Sequence, residues 1–147
     1  MNRKTVRTIA IINLALCYVL AAMLQAQAPD TKTAYPSMAP LDRYLMERDA
    51  EIALARSAAP ESISNDAEIV VLGRHGYETA VKGKNGFTCM VERSWAAGID
   101  DPDFWNPKLR APICFNGAAV RSYLPRTIKK TDLVLAGCTK AQMMGAI

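Results

Sequence analysis

Apolar and polar positions alternate with different periods along the chain, and the first change comes within the opening residues. No side chain from Ile9 to Leu24 is charged, Asn13 is the only strongly polar one, and Arg3, Lys4 and Arg7 precede the run. A basic head followed by a short apolar core is the layout of a secretory signal. As a helix, that run would reach only about 24 Å at ~1.5 Å per residue. The hydrocarbon core of a bilayer is roughly 30 Å thick. The pattern therefore predicts a cleaved export signal over 1–26 rather than a membrane anchor. Ala26-Gln27-Ala28 fits the small-x-small pattern, but a cut after Ala28 would leave Pro29 next to the scissile bond. A cut after Ala26 avoids the proline but puts Leu24 at the third position upstream. Ala26 is the preferred site and Ala28 the alternative. Leu16 is too bulky for Cys17 to sit in a lipobox.

The next stretch, 27–40, carries Pro29, Pro36 and Pro40 among polar residues and reads as an extended leader. Residues 41–58 place Leu41, Tyr44, Leu45, Ile52 and Ala55 near one face, with Arg43–Glu47 as an i,i+4 pair. This predicts one N-terminal helix, ended by Pro60. Residues 62–66 read as a loop. Three strand-like runs follow at 68–72, 77–82 and 87–93. Gly73 and Gly76 separate the first two, and Gly83-Lys84-Asn85-Gly86 between the second and third is a hairpin signal. An antiparallel meander with one buried face is expected. Residues 94–111 are irregular, with Trp95, Phe104 and Trp105 expected to fold back on the core. Asn116 can cap a helix over 117–124, Pro125 can open another running to Ala136, and Gly137 suits its end. Thr139 and Gln142 have capping-box spacing. A capped start so close to Ile147 predicts a longer product. The fold class expected is α+β: an N-terminal helix, a three-stranded antiparallel meander and C-terminal helices, in a single domain over 41–147.

Composition and charge narrow the partners. The formal charge is +4, but three of the 18 basic residues lie in the signal, leaving 15 against 14 acidic ones. A nearly neutral mature chain has no large field for nucleic acid or anionic lipid. The membrane is therefore met only through the signal segment. The mature chain keeps Cys89, Cys114 and Cys138. Export permits a disulfide, and Cys89–Cys114 would staple the sheet to the segment after the tryptophans. The alternative is three small buried hydrophobes. No C-x-x-C occurs, so no metal and no cofactor is expected.

Candidate chemistry is sparse. The run Ile69-Val70-Val71-Leu72-Gly73-Arg74-His75-Gly76-Tyr77-Glu78-Thr79 resembles the opening of the histidine phosphatase family over about ten residues. That resemblance implies His75 as phosphoryl acceptor and Arg74 as phosphate ligand. The family places a helix after this loop and uses a second histidine, whereas His75 is the only histidine here. Asp100, Asp101 and Asp103 supply hard oxygens without EF-hand spacing. Lys82, Lys84, Lys129 and Lys130 are a possible basic spot or ordinary surface lysines. Trp95 and Trp105 are candidates to line a ligand groove, with core packing as the alternative. Phosphate-loop, dinucleotide and serine-nucleophile signatures are absent.

Three segments together carry a wider resemblance: Met38 to Met46, His75 to Phe87, and Asp103 to Lys108 with Ala111 to Asn116. They look like a group of bacterial exported proteins of unknown function. The resemblance implies export, to the periplasm or beyond the cell, and no reaction. The expected function is a non-catalytic binding or envelope-associated protein that meets an unknown ligand or envelope partner through the Trp95–Trp105 loop. A phosphohydrolase using His75 is the alternative.

Overall fold

In the computed structural model, residues 35–147 are described. The export signal, its cleavage sites, Cys17 and most of the extended leader lie outside them. Among the described residues, no helix is long and apolar enough to cross a membrane. The fold is α+β. A four-stranded mixed sheet, with strands β1 (Glu68–Gly73), β2 (Gly76–Val81), β3 (Thr88–Glu92) and β4 (Ala111–Phe115), is ordered β2-β1-β3-β4. Among the described residues, five α-helices accompany it: α1 (Arg48–Arg56), α2 (Glu61–Ser64), α3 (Gly117–Ser122), α4 (Leu124–Leu135) and α5 (Lys140–Ala146). Two 3₁₀ turns lie at Leu41–Arg43 and Ser94–Ala96.

The sheet departs from the expected meander. β1 pairs antiparallel with β2 but parallel with β3, and β3 pairs antiparallel with β4. Gly83-Lys84-Asn85-Gly86 therefore does not close a hairpin between β2 and β3. It carries the chain past the start of β1, where the Lys84 N–H donates to Asp66 O at 2.8 Å and the Glu68 N–H to Phe87 O at 2.8 Å. A Cβ on Gly83 would meet Glu68 N at 2.2 Å, so the close crossing requires glycine there. The physical reason is burial. Ile69-Val70-Val71-Leu72 is apolar without alternation, as a strand covered on both faces must be, and β3 is buried along its whole length. Both strands belong in the interior of the sheet. β4 was hidden in sequence by Pro112, which an edge strand tolerates because one backbone side makes no ladder bonds.

Successive β1 residues face opposite layers. Ile69 and Val71 pack with Cys89, Val91 and Ala55 of α1. On the other face, Val70, Met90 and Phe115 pack against Ala119, Val120 and Leu124 of α3 and α4. A third cluster joins Leu72 to Tyr44, Trp95, Phe104, Trp105, Val134 and Met143. It ties the 94–110 loop and the C-terminal helices to the same sheet.

The expected single helix over 41–58 is two pieces. Tyr44 leaves helical pairing because its carbonyl accepts from Arg93 Nε at 2.8 Å, while its hydroxyl donates to Trp105 O at 2.8 Å. Glu47 does not form the expected pair with Arg43. Its carboxylate caps α1, accepting from the N–H groups of Asp49 and Ala50 at 3.0 Å. The segment expected as a loop at 62–66 overlaps α2, which runs from Glu61 to Ser64. The C-terminal signals fall where local chemistry put them. Asn116 caps α3 through the N–H groups of Ala118 and Ala119. Gly137 has φ 75° and closes α4 with bonds from Gly137 N to Val134 O and Cys138 N to Leu133 O. Thr139 and Gln142 form the capping box of α5.

Candidate functional site

His75 and Arg74 form the exposed two-residue turn between β1 and β2, closed by Gly76 at φ 123°. A Cβ at Gly76 would also meet Asp132 Oδ1 of α4 at 3.2 Å. Arg74 Nη2 pairs with Asp42 Oδ1 at 2.6 Å on the open surface. Strand, turn and strand stand where the phosphatase resemblance implies strand, loop and helix. Asp101 and Asp103 shape their own turn, since Asp101 Oδ1 accepts from the Asp103 N–H at 2.7 Å. Among the described residues, no group of three or more histidine, cysteine or acidic side chains is placed to hold a metal ion. The lysines do not form one patch. Lys84 pairs with Asp66, Lys82 borders a cavity beside β2, and Lys130 borders a different one under the 94–110 loop.

Trp95 and Trp105 do not present their rings to solvent, being 1 % and 7 % exposed. Trp95 stacks at 4.9 Å from Tyr44, and its Nε1–H donates to Thr131 Oγ1 of α4 at 3.0 Å. Trp105 meets Phe104 edge-on at 4.6 Å and borders a cavity of about 450 Å³ with Met38, Val134, Cys138 and Lys140. The rings thus act as anchors that pin both ends of the loop. Cys89 and Cys114 are cross-strand neighbours on β3 and β4 and are joined by a disulfide. Cys138 is free and half-buried.

Two polar groupings escaped the sequence reading. The first is a buried seam between β1 and β3. Their ladder pairs only Glu68 with Thr88 and Ile69 with Cys89. Beyond that, side chains serve the backbone. Glu51 Oε1 accepts from the Leu72 N–H at 3.0 Å, and Glu51 Oε2 accepts from Arg93 Nη2 at 2.8 Å. Arg93 Nη1 and the Tyr77 hydroxyl both donate to Val91 O. Burial pushes the Tyr77 phenol well above its ordinary range. No buried side-chain polar atom lacks a partner among the described residues. This seam is closed and fully satisfied, which suits a structural joint.

The second is a cavity of about 410 Å³ between Ala96–Ile99 of the loop and the α4 residues Arg126, Thr127 and Lys130. Lys130 Nζ donates to Ala97 O at 2.9 Å and Ala96 O at 3.4 Å. Burial, then the field of Arg126, holds the Lys130 ammonium below its usual range. Glu92 lies against this helix, accepting from Thr127 Oγ1 at 3.3 Å, and burial pushes its carboxyl up. Arg126, Thr127 and Lys130 sit at i, i+1 and i+4 on one helix. That spacing was readable, but only tertiary packing shows what they face. Comparison with family models, with curated proteins and with solved structures returns no match.

Proposed function

We propose that this chain is an exported, non-catalytic binding protein of the bacterial envelope or its surroundings, and that it captures a ligand beside the 94–110 loop. The observation that carries the reading is the cavity of about 410 Å³ held open between that loop and α4. Its walls are pre-formed. Trp95 is buried against Tyr44 and bonded to Thr131, Ser94 Oγ donates to Phe104 O at 2.8 Å, and Lys130 ties Ala96 and Ala97 to the helix. A site whose walls are ordered before binding loses less conformational entropy on capture, and cavities of roughly 300–1,000 Å³ are the usual size for small ligands. Export is supported by the basic head and apolar run at the N-terminus and by the Cys89–Cys114 bridge, a bond that persists in oxidising compartments.

Two measurements test this. Expression of the full chain in a bacterium, followed by fractionation and N-terminal sequencing, should recover a chain starting at Gln27 or Pro29 outside the cytosol. An intact Met1 on cytosolic material would overturn the export half. Amide spectra of the mature protein titrated with small-metabolite mixtures should shift at Ala97, Gly98 and Thr127. Shifts confined to other surfaces would overturn the binding half.

A further inference from the structure

A second cavity, of about 430 Å³, lies beside β2 and is independent of the one under the loop. Its wall includes Glu68 of β1, Thr79 of β2, Thr88 of β3, and Lys82 and Phe87 from either end of the link between β2 and β3. A β-bulge shapes it. Val70 faces Thr79 and Ile69 faces Val81, so Ala80 is an extra residue in β2. Strict alternation would put Thr79 and Lys82 on opposite faces of the sheet. The bulge instead turns Val81 into the cluster of Ile69 and Cys89 on the α1 side, and leaves Lys82 on one wall with Thr79 and Glu68. The link itself is fixed: Gly83 lies against Glu68 N, and Asn85 Oδ1 accepts from the Phe87 N–H at 3.0 Å.

The polar groups of this wall divide by kind. Glu68 Oε1 accepts from Thr79 Oγ1 at 3.0 Å, and Glu68 Oε2 accepts from Thr88 Oγ1 at 3.3 Å. Both hydroxyl protons are spent on the carboxylate, so these three side chains have only acceptor positions left. Lys82 has only donors. Among the described residues, neither Glu68 nor Lys82 is in an ion pair, while Asp66 and Lys84 are paired with each other at 3.1 Å. Glu68 and Lys82 are the charged side chains of the wall, and Arg121 lies outside it with Nη1 against Gly117. A ligand that is cationic at one end and anionic at the other would satisfy both charges. Phe87 and Val120 of α3 complete the wall with apolar surface. We propose that this cavity binds a free α-amino acid with an apolar side chain: its ammonium on Glu68, Thr79 and Thr88, its carboxylate on Lys82, and its side chain against Phe87 and Val120.

The test uses the mature protein and three probes of one carbon skeleton: L-leucine, isoamylamine, which lacks the carboxylate, and isocaproate, which lacks the ammonium. Calorimetry gives the affinities and amide spectra give the place. Leucine should shift the amides of Thr79, Gly83, Gly86 and Thr88. Each single-charge analogue should bind about tenfold more weakly, since one charge-assisted contact is worth on the order of a factor of ten. Glu68→Gln should weaken leucine about tenfold without weakening isocaproate. Lys82→Gln, at an exposed position where folding is not at risk, should weaken leucine about tenfold without weakening isoamylamine. If isoamylamine or isocaproate binds as well as leucine, one of the two charge contacts is absent and the amino-acid assignment falls. If none of the three shifts those amides, for instance because Lys82 closes on Glu68 in solution, the cavity is not a ligand site. If leucine shifts Ala97, Gly98 and Thr127 instead, it binds under the loop, and this assignment falls while the binding reading stands.

Discussion

Two charged regions of this molecule lie on either side of one sheet and have opposite logic. In the seam, Glu51 and Arg93 are 1 % and 0 % exposed, 2.8 Å apart, and their other polar atoms bond to Leu72 N–H, Tyr44 O and Val91 O. In the cavity under the loop, Arg126 and Lys130 stand one turn apart on α4, and Glu92 behind Thr127 partly offsets the effect of Arg126 on Lys130. The difference teaches how burial separates a charge that holds the fold together from one left at the surface. A buried charge pair whose polar atoms are all bonded is costly to break, whereas cations bordering solvent contribute little to stability.

The comparison can be broken most forcefully at the seam. Glu51→Ala strands the Arg93 guanidinium and the Leu72 N–H in the interior, and should cost about 3–5 kcal/mol in urea unfolding. The double variant Glu51→Leu/Arg93→Met removes both charges and should recover most of that loss. A double variant as unstable as the single one would show that the seam contributes more than charge pairing. Next in size, reduction of the Cys89–Cys114 bridge, whose cysteines are 25 positions apart, should lower stability by about 3 kcal/mol through the freed unfolded chain. A denaturation midpoint unchanged by reductant would contradict it.

A smaller and pH-dependent effect is expected at Glu92, the carboxyl next to the cavity. Burial raises its folded pKa above the ordinary value of 4.5. The folded state therefore binds the proton more tightly than the unfolded one. The stability this contributes is fully present below 4.5 and is lost as pH rises through the folded pKa. Glu92→Gln should remove that dependence, so that relative to wild type the variant gains stability as pH rises from 4.5 through the folded pKa. Parallel pH profiles for the two proteins would sink the assignment. The smallest effect belongs to the cavity cations. Arg126→Gln should alter unfolding free energy by no more than about 0.5 kcal/mol, as expected of an exposed side chain without partners. A loss as large as that from Glu51→Ala would place Arg126 with the structural charges and erase the distinction.

Much of the local structure was legible because the bonds that make it span only a few positions. Asn116, Gly137 and the Thr139–Gln142 box end and begin helices through bonds that span two to five positions. The β1 and β2 runs were readable from apolar composition and the glycines at their turn. The burial of Trp95, Phe104 and Trp105 followed from their size. The helix over 41–58 was misread because its break depends on Arg93, 49 positions from the Tyr44 carbonyl it engages. The misread hairpin has the same origin. Asn85 and Gly86 do turn the chain, with the Asn85 side chain bonded to Phe87 N and Ile63 O, but the turn's destination is set by where β3 finds cover.

Sequence alone therefore determined the export layout as an expectation, the helix boundaries near the C-terminus, and which side chains were large and apolar enough to form a core. Only the tertiary structure decided the strand order, the seam that joins Glu51 to Arg93 across 42 positions, and the face on which Arg126 and Lys130 meet the 94–110 loop. Capping and turn chemistry are satisfied by near neighbours, so they show in a short window of residues. Sheet order and charge pairing are settled by competition among distant segments for the same buried space, and no short window records which segment wins.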